Sequence, residues 1–255
     1  MHRNISIFFK LPVILLVILS FIVTVNTSAW RQKKLPEDNF VNIIMMKSVF
    51  IHCDDSDLDC TYPGEYMKLG GATATGFAVK SIDGSTFIIT ASHFCSSETG
   101  YERKLQSQNI ETDITAFDIY GSGWSSKIVF EDIDLDLCLL ESKIPHTKDI
   151  KLATAMPERG ERIYSLSAPY GISAQNVVLQ FEGFFSGCES NQRCFFTIPA
   201  TSGSSGGLIF NDKNEIIGMI QMSTINFESI AIGPDISVMR DFLTRASREL
   251  DTNLL

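Results

Sequence analysis

From about residue 40 the chain runs as short apolar stretches rich in Val, Ile, Phe and Thr, broken by Gly, Asp, Asn and Ser. Ile43–Phe50, Ala72–Lys80, Ser85–Thr90, Lys127–Glu131, Leu135–Leu140, Arg162–Leu166, Asn176–Gly183, Cys194–Ile198, Gly207–Asn211, Glu215–Met222 and Ser229–Ile232 read as strands. The reason is that β-branched and aromatic side chains suit a pleated, half-buried surface. Asp83-Gly84 and Asp212-Lys213-Asn214 read as hairpin turns. Evenly spaced short strands predict an all-β sandwich or barrel. No helix-period runs alternate with them, which argues against a parallel α/β sheet. The exception is the tail, residues 235–250, where Ile236, Met239, Phe242 and Leu243 fall on one helical face. There is no internal repeat and no Pro-, Gly- or Ser-rich linker, so one double β unit is expected.

The start of the chain follows a different pattern. Arg3 and Lys10 precede an apolar run over residues 11–25, and the small residues Thr27 and Ala29 close it. This order predicts a secretory signal over residues 1–29, cleaved after Ala29, with export from the cytoplasm. The alternative is an uncleaved single-pass anchor; fifteen residues is short for a span of about 20, and Arg31, Lys33 and Lys34 just beyond the run weaken that reading. Residues 30–39 are a polar lead-in, and residues 40–250 carry the folded part.

Composition narrows the classes. With 44% hydrophobic residues and 18 Phe among 255, the chain can bury a core, which excludes disorder. A formal charge of −9, two units more acidic once Arg3 and Lys10 are removed, disfavours nucleic acid as a partner. The six cysteines suit an oxidising compartment. Cys53 and Cys60 flank one acidic loop and Cys188 and Cys194 flank another short loop, and each pair is placed to close a disulfide. No metal is expected. The acid-rich stretches 54–59 and 132–136 lack the Gly and Glu of an EF-hand loop. His52, Cys53 and Cys60 are too few for a zinc site.

Three segments carry chemistry. Residues 200–210, ATSGSSGGLIF, form a Gly-rich turn ahead of an apolar strand, where Gly203 and Gly206 permit positive φ. Such a turn can aim the N–H groups of Gly203, Ser204 and Ser205 at one point, as an oxyanion requires, with Ser205 as attacking hydroxyl. A serine hydroxyl needs a base. Of the four histidines, His93 in TASHF follows an apolar strand, whereas His2, His52 and His146 lie in the targeting segment, an acidic loop and a turn. A carboxylate must orient that imidazole. Asp136 enters the apolar stretch DLCLL, with Asp134 as a rival on the same alternating face.

Together these segments resemble the chymotrypsin-like (trypsin-like) serine proteases, over roughly residues 40–245. TASHFC is similar to the family's Thr-Ala-Ala-His-Cys block, DLCLL to its Asp-Ile/Leu-Ala-Leu-Leu block and GSSGG to its Gly-x-Ser-Gly-Gly block. Thr75-Gly76-Phe77 and Gly218-Met219-Ile220 are supporting matches, and Ser167-Ala168-Pro169-Tyr170-Gly171 resembles bacterial exported members most. The order His, Asp, Ser is the chymotrypsin order.

The resemblance implies two six-stranded antiparallel β-barrels with a C-terminal helix, divided at about residues 40–145, 155–235 and 235–250. It implies a serine endopeptidase with the triad His93, Asp136 and Ser205, acting on protein or peptide substrates as a monomer, without cofactor. It also implies a first substrate pocket floored by Pro199, Ala200 and Thr201 and walled by Gln221, Met222 and Ser223. Pro199 stands where an acid would select basic side chains, so small or apolar ones are favoured. If the triad assembles, Cys95 and Cys138 come close enough for a third disulfide. Ser92, Ser204 and Leu208 depart from the family's usual residues, as does the spacing of Cys95 from His93. These departures leave open a silent, protease-fold binding module.

Overall fold

Fourteen strands form among the described residues of the computed structural model, which are 33–50, 66–96, 110–145, 147–224 and 227–254. The expected targeting segment, His2, His52, the Cys53–Cys60 pair and His146 lie outside them. Strands β1 (Phe40–Phe50), β2 (Tyr66–Lys80), β3 (Thr86–Thr90), β4 (Ile110–Asp118), β5 (Gly123–Asp132) and β6 (Leu137–Ser142) close a barrel in the order β1-β2-β3-β6-β5-β4. Every pairing in it is antiparallel.

Alternation explains the strand sequences. Val41, Ile43, Ala74, Ile88, Ala116 and Leu140 fill the barrel. Their neighbours Phe40, Phe77, Phe87, Ile89 and Leu139 point the other way and join a second core with Leu166, Leu208, Phe210 and Phe242. A strand buried on both faces reads as an unbroken apolar run, as β3 does. Gly76 is required by closeness: a Cβ there would sit 2.5 Å from Ile88 Cγ2 and 2.6 Å from Ile43 Cδ1. Strand β4 is absent from the sequence expectation because Thr and Asp dilute it, and its residues 111–113 are exposed.

The second half corrects the expectation of two six-stranded barrels. Strands β7 (Lys151–Leu152), β8 (Arg162–Ser167), β9 (Leu179–Cys188), β10 (Arg193–Phe196), β11 (Leu208–Phe210), β12 (Glu215–Met219), β13 (Met222–Thr224) and β14 (Phe227–Pro234) form one eight-stranded sheet. Its order is β13-β14-β10-β9-β8-β11-β12-β7, and it is not closed. The free side of β12 is taken by β7 in a parallel pairing. The apolar run 215–222, read as one strand, breaks after Met219, and the chain leaves β12 to pair with β14 instead. Gly206 and Gly207 use the backbone of Ile220 at that break, at 2.7 and 2.8 Å. Strand β12 therefore ends against the turn that carries Ser205. Helix α2 (Ile236–Glu249), following the short α1 (Ser92–Cys95), buries Ile236, Met239, Phe242 and Leu243. The Asp235 carboxylate accepts from the N–H groups of Ser237 and Val238 and caps it.

Candidate active site

His93 leaves β3 through extended Ala91 and sits in the single turn α1. Its backbone N–H donates to Asp136 Oδ1 at 2.8 Å, and its Nδ1 lies 3.0 Å from Oδ1 and 2.9 Å from Oδ2. A carboxylate only accepts, so Nδ1 carries the proton and Nε2 is left as an acceptor when the ring is neutral. The imidazole is half exposed.

Asp136 stands in left-handed backbone, φ 52°. Residues 133–136 form a turn, so strand alternation does not apply to them, and Asp134 is exposed without a bond to His93. The turn is held from several sides. Asp132 Oδ1 accepts from Leu135 N–H at 2.9 Å, and Arg245 of α2 pairs with Asp132 Oδ2 at 2.7 Å. Burial pushes the Asp132 carboxyl up, but the Leu135 N–H and the Arg245 guanidinium outweigh it and hold the group below its ordinary value. Gln221 Nε2 donates to the carbonyls of Leu135 and Asp136 at 2.7 and 2.9 Å.

Cys95 and Cys138 form a disulfide, Cα–Cα 6.6 Å. Each follows a site residue by two positions, so the bond ties the segment of His93 to that of Asp136. Cys188 and Cys194 are also bonded, directly across β9 and β10.

The Ser205 turn is built on glycine. Gly203 and Gly206 both have φ 88°, and a Cβ on Gly206 would lie 2.0 Å from the Thr75 carbonyl oxygen. Thr75, on the barrel, locks this turn: its N–H donates to Ser205 O at 2.8 Å and its hydroxyl donates to Gly203 O at 2.8 Å. The same hydroxyl accepts from Ala168 N–H. The Ser204 N–H is already given to Thr201 O at 2.9 Å. Those of Gly203 and Ser205 donate to nothing among the described residues. Ser205 Oγ faces Gln221 O at 3.5 Å and makes no bond with His93 among them.

Of the expected pocket residues, Ala200 is buried, Thr201 and Ser223 are half-buried, and Pro199 and Met222 are exposed. The Thr201 hydroxyl donates to Glu228 Oε1 and accepts from Tyr170, both at 3.1 Å. Gln221 turns its amide away from this group, into the Asp136 turn. Sequence reasoning missed the roles of Thr75, Asp132, Arg245 and Glu228. Only Thr75 carried a signal, in the Thr75-Gly76-Phe77 match.

The same arrangement of chain occurs in solved structures. The serine endoprotease from Yersinia pestis matches with a TM-score of 0.58 at 15% identity, over 84% of this chain and 64% of that one. This chain thus spans just under two thirds of the Yersinia enzyme's length. The active form of the Rv3671c protease from M. tuberculosis matches with a TM-score of 0.57 at 14% identity, over 83% of this chain and 82% of that one. Its inactive serine-to-alanine form matches with 0.53 at 11%, over 80% and 86%. At such identities the likeness is one of fold. No curated protein matches the chain in sequence. Residues 74–219, more than half of the chain, match the trypsin-like peptidase domain, and the chain belongs to that family of serine proteases.

Proposed function

We propose that the chain is an exported serine endopeptidase with Ser205 as nucleophile, His93 as general base and Asp136 as orienting acid. One observation carries the reading: the Asp136 carboxylate accepts both the backbone N–H and the Nδ1 of His93, and Gln221 bonds the Asp136 carbonyl with its side chain while its own carbonyl faces the Ser205 hydroxyl.

In this mechanism Ser205 Oγ attacks the scissile carbonyl carbon while His93 Nε2 takes its proton. The tetrahedral oxyanion is held by the N–H groups of Gly203 and Ser205, which have no other acceptor among the described residues. The imidazolium, steadied by Asp136, returns the proton to the leaving amine. Water then repeats the sequence on the acyl-enzyme. At 3.5 Å the Ser205 contact with Gln221 O is weak, so turning the hydroxyl toward His93 costs little. The two disulfides among the described residues and the apolar start of the chain support export, and Pro199, where the family resemblance would put a basic-selecting acid, supports small or apolar side chains at the cleavage site. No step calls for a metal or cofactor, and one chain supplies every group.

The test is covalent labelling with a fluorophosphonate probe. Wild type is expected to label and Ser205→Ala is not; equal labelling of both removes Ser205 from the mechanism. The missing Ser205–His93 bond favours a second reading, a silent binding module. Cleavage of casein that disappears in His93→Ala decides against it.

A further inference from the structure

Gln221 belongs to the second sheet, at the step from β12 to β13, yet its partners lie on both sides of the site. Its backbone N–H donates to Ile232 O at 3.0 Å, and its backbone carbonyl faces the Ser205 hydroxyl. Its side chain crosses to the barrel and gives its nitrogen to two consecutive carbonyls, those of Leu135 and Asp136. An amide nitrogen has two hydrogens and a carbonyl only accepts, so donors and acceptors match in number and the amide's orientation is fixed by its partners.

The bonded peptide is the one that needs holding. Left-handed backbone is disfavoured for residues with a Cβ, least so for Asp and Asn, and local hydrogen bonds help to hold it. Asp136 adopts it, at φ 52°. Asp132 and Arg245 secure the Leu135 N–H, at the near side of this peptide. The Asp136 carbonyl, at the far side, is taken by Gln221. The Asp136 N–H itself closes the turn on Ile133 O at 3.2 Å, so Gln221 adds the one hold that comes from the second sheet and bears on the Asp136 carbonyl.

We propose that Gln221 is a positioning residue, whose side-chain amide fixes the Asp136 turn so that the carboxylate meets His93 while its backbone anchors the same residue beside Ser205. This assignment rests on the triad reading, and it replaces the expectation that the Gln221 side chain walls the substrate pocket.

The test compares wild type with Gln221→Met, which keeps length but has no donor, and Gln221→Glu, which sets a carboxylate against the two carbonyls. Expected kcat falls in the order Gln, Met, Glu. The Met variant should lose about 10–100-fold, the scale of a slightly misplaced catalytic group, with KM within about twofold of wild type. The low-field proton resonance of His93 Nδ1–H, which reports the His93–Asp136 bond without turnover, should broaden or shift in Gln221→Met. Should that variant not fold, Gln221→Glu carries the same two readouts. An unchanged resonance with wild-type kcat overturns the proposal, as does a raised KM with unchanged kcat, which returns Gln221 to the pocket wall. Ser205→Ala separates the two levels. Full turnover in Ser205→Ala defeats the triad reading itself; its loss there, with wild-type kcat in both Gln221 variants, defeats only the role of Gln221.

Discussion

Removing the Cys95–Cys138 disulfide should destabilise the protein about twice as much as removing Cys188–Cys194. A crosslink restricts the unfolded chain, and the restriction grows with the logarithm of the loop it closes. The first bond joins residues 43 apart and the second residues 6 apart. The loop relation then gives about 4 kcal/mol for the first and about 2 kcal/mol for the second. For a domain of this size each kcal/mol moves Tm by about 2–4 °C. The assay is guanidinium unfolding of Cys95→Ala/Cys138→Ala and Cys188→Ala/Cys194→Ala, followed by fluorescence and circular dichroism, with each midpoint converted through its own slope. Two sulfurs are lost in either variant; Cys95 and Cys138 are both buried whereas Cys188 is exposed, so lost packing adds to the loop effect in the first variant. With unchanged slopes, an equal loss in the two variants, or a larger one from the short loop, refutes the reasoning. That outcome would mean that chain entropy does not set the difference.

Other expectations follow from single contacts. Gly206→Ala should abolish probe labelling and cost about 3 kcal/mol or more, because its Cβ would lie 2.0 Å from Thr75 O at a positive φ; a wild-type unfolding midpoint would contradict this. The Asp83 carboxyl is lowered to about 2, first by the Ser81 hydroxyl and then by the Ser85 N–H. A lowered acid stabilises the fold above its unfolded value near 3.8 and loses that contribution as pH falls through about 2. Unfolding midpoints of wild type and Asp83→Asn should therefore converge between about pH 4 and 2, and a constant difference across that window counts against the assignment. Asp235→Ala should cost about 1 kcal/mol by uncapping α2, read as a lower urea midpoint with unchanged slope; no shift would mean the cap is replaced by water.

Residues 235–250 show what local pattern can carry. Helix period, capping acid and buried face all lie within sixteen positions, and α2 forms over them. Strand β3 was legible for a related reason, since five consecutive buried positions leave little choice but a strand covered on both faces. Strand β4 was not legible. Only Ile114 and Ala116 of its middle reach the core, and its pairing with β1 and β5 is decided by residues far away in sequence. The run 215–222 looked like one strand because hydrophobicity does not record which neighbour an edge will take.

The sequence by itself determined that the chain is all-β with a terminal helix, and that His93, Asp136 and Ser205 occur in the family's order. These are properties of composition, alternation and short blocks, and a single strand or turn suffices to express them. Tertiary structure decided that one half closes as a barrel and the other stays an open sheet, because closure depends on long-range pairing at β7, β12 and β13. It also chose Asp136 over Asp134 and drew Thr75, Gln221 and Arg245 to the site. Each of those acts through a hydrogen bond or ion pair to a segment far along the chain. A residue's type announces what it can donate or accept, but only the folded backbone brings its partner within 3 Å.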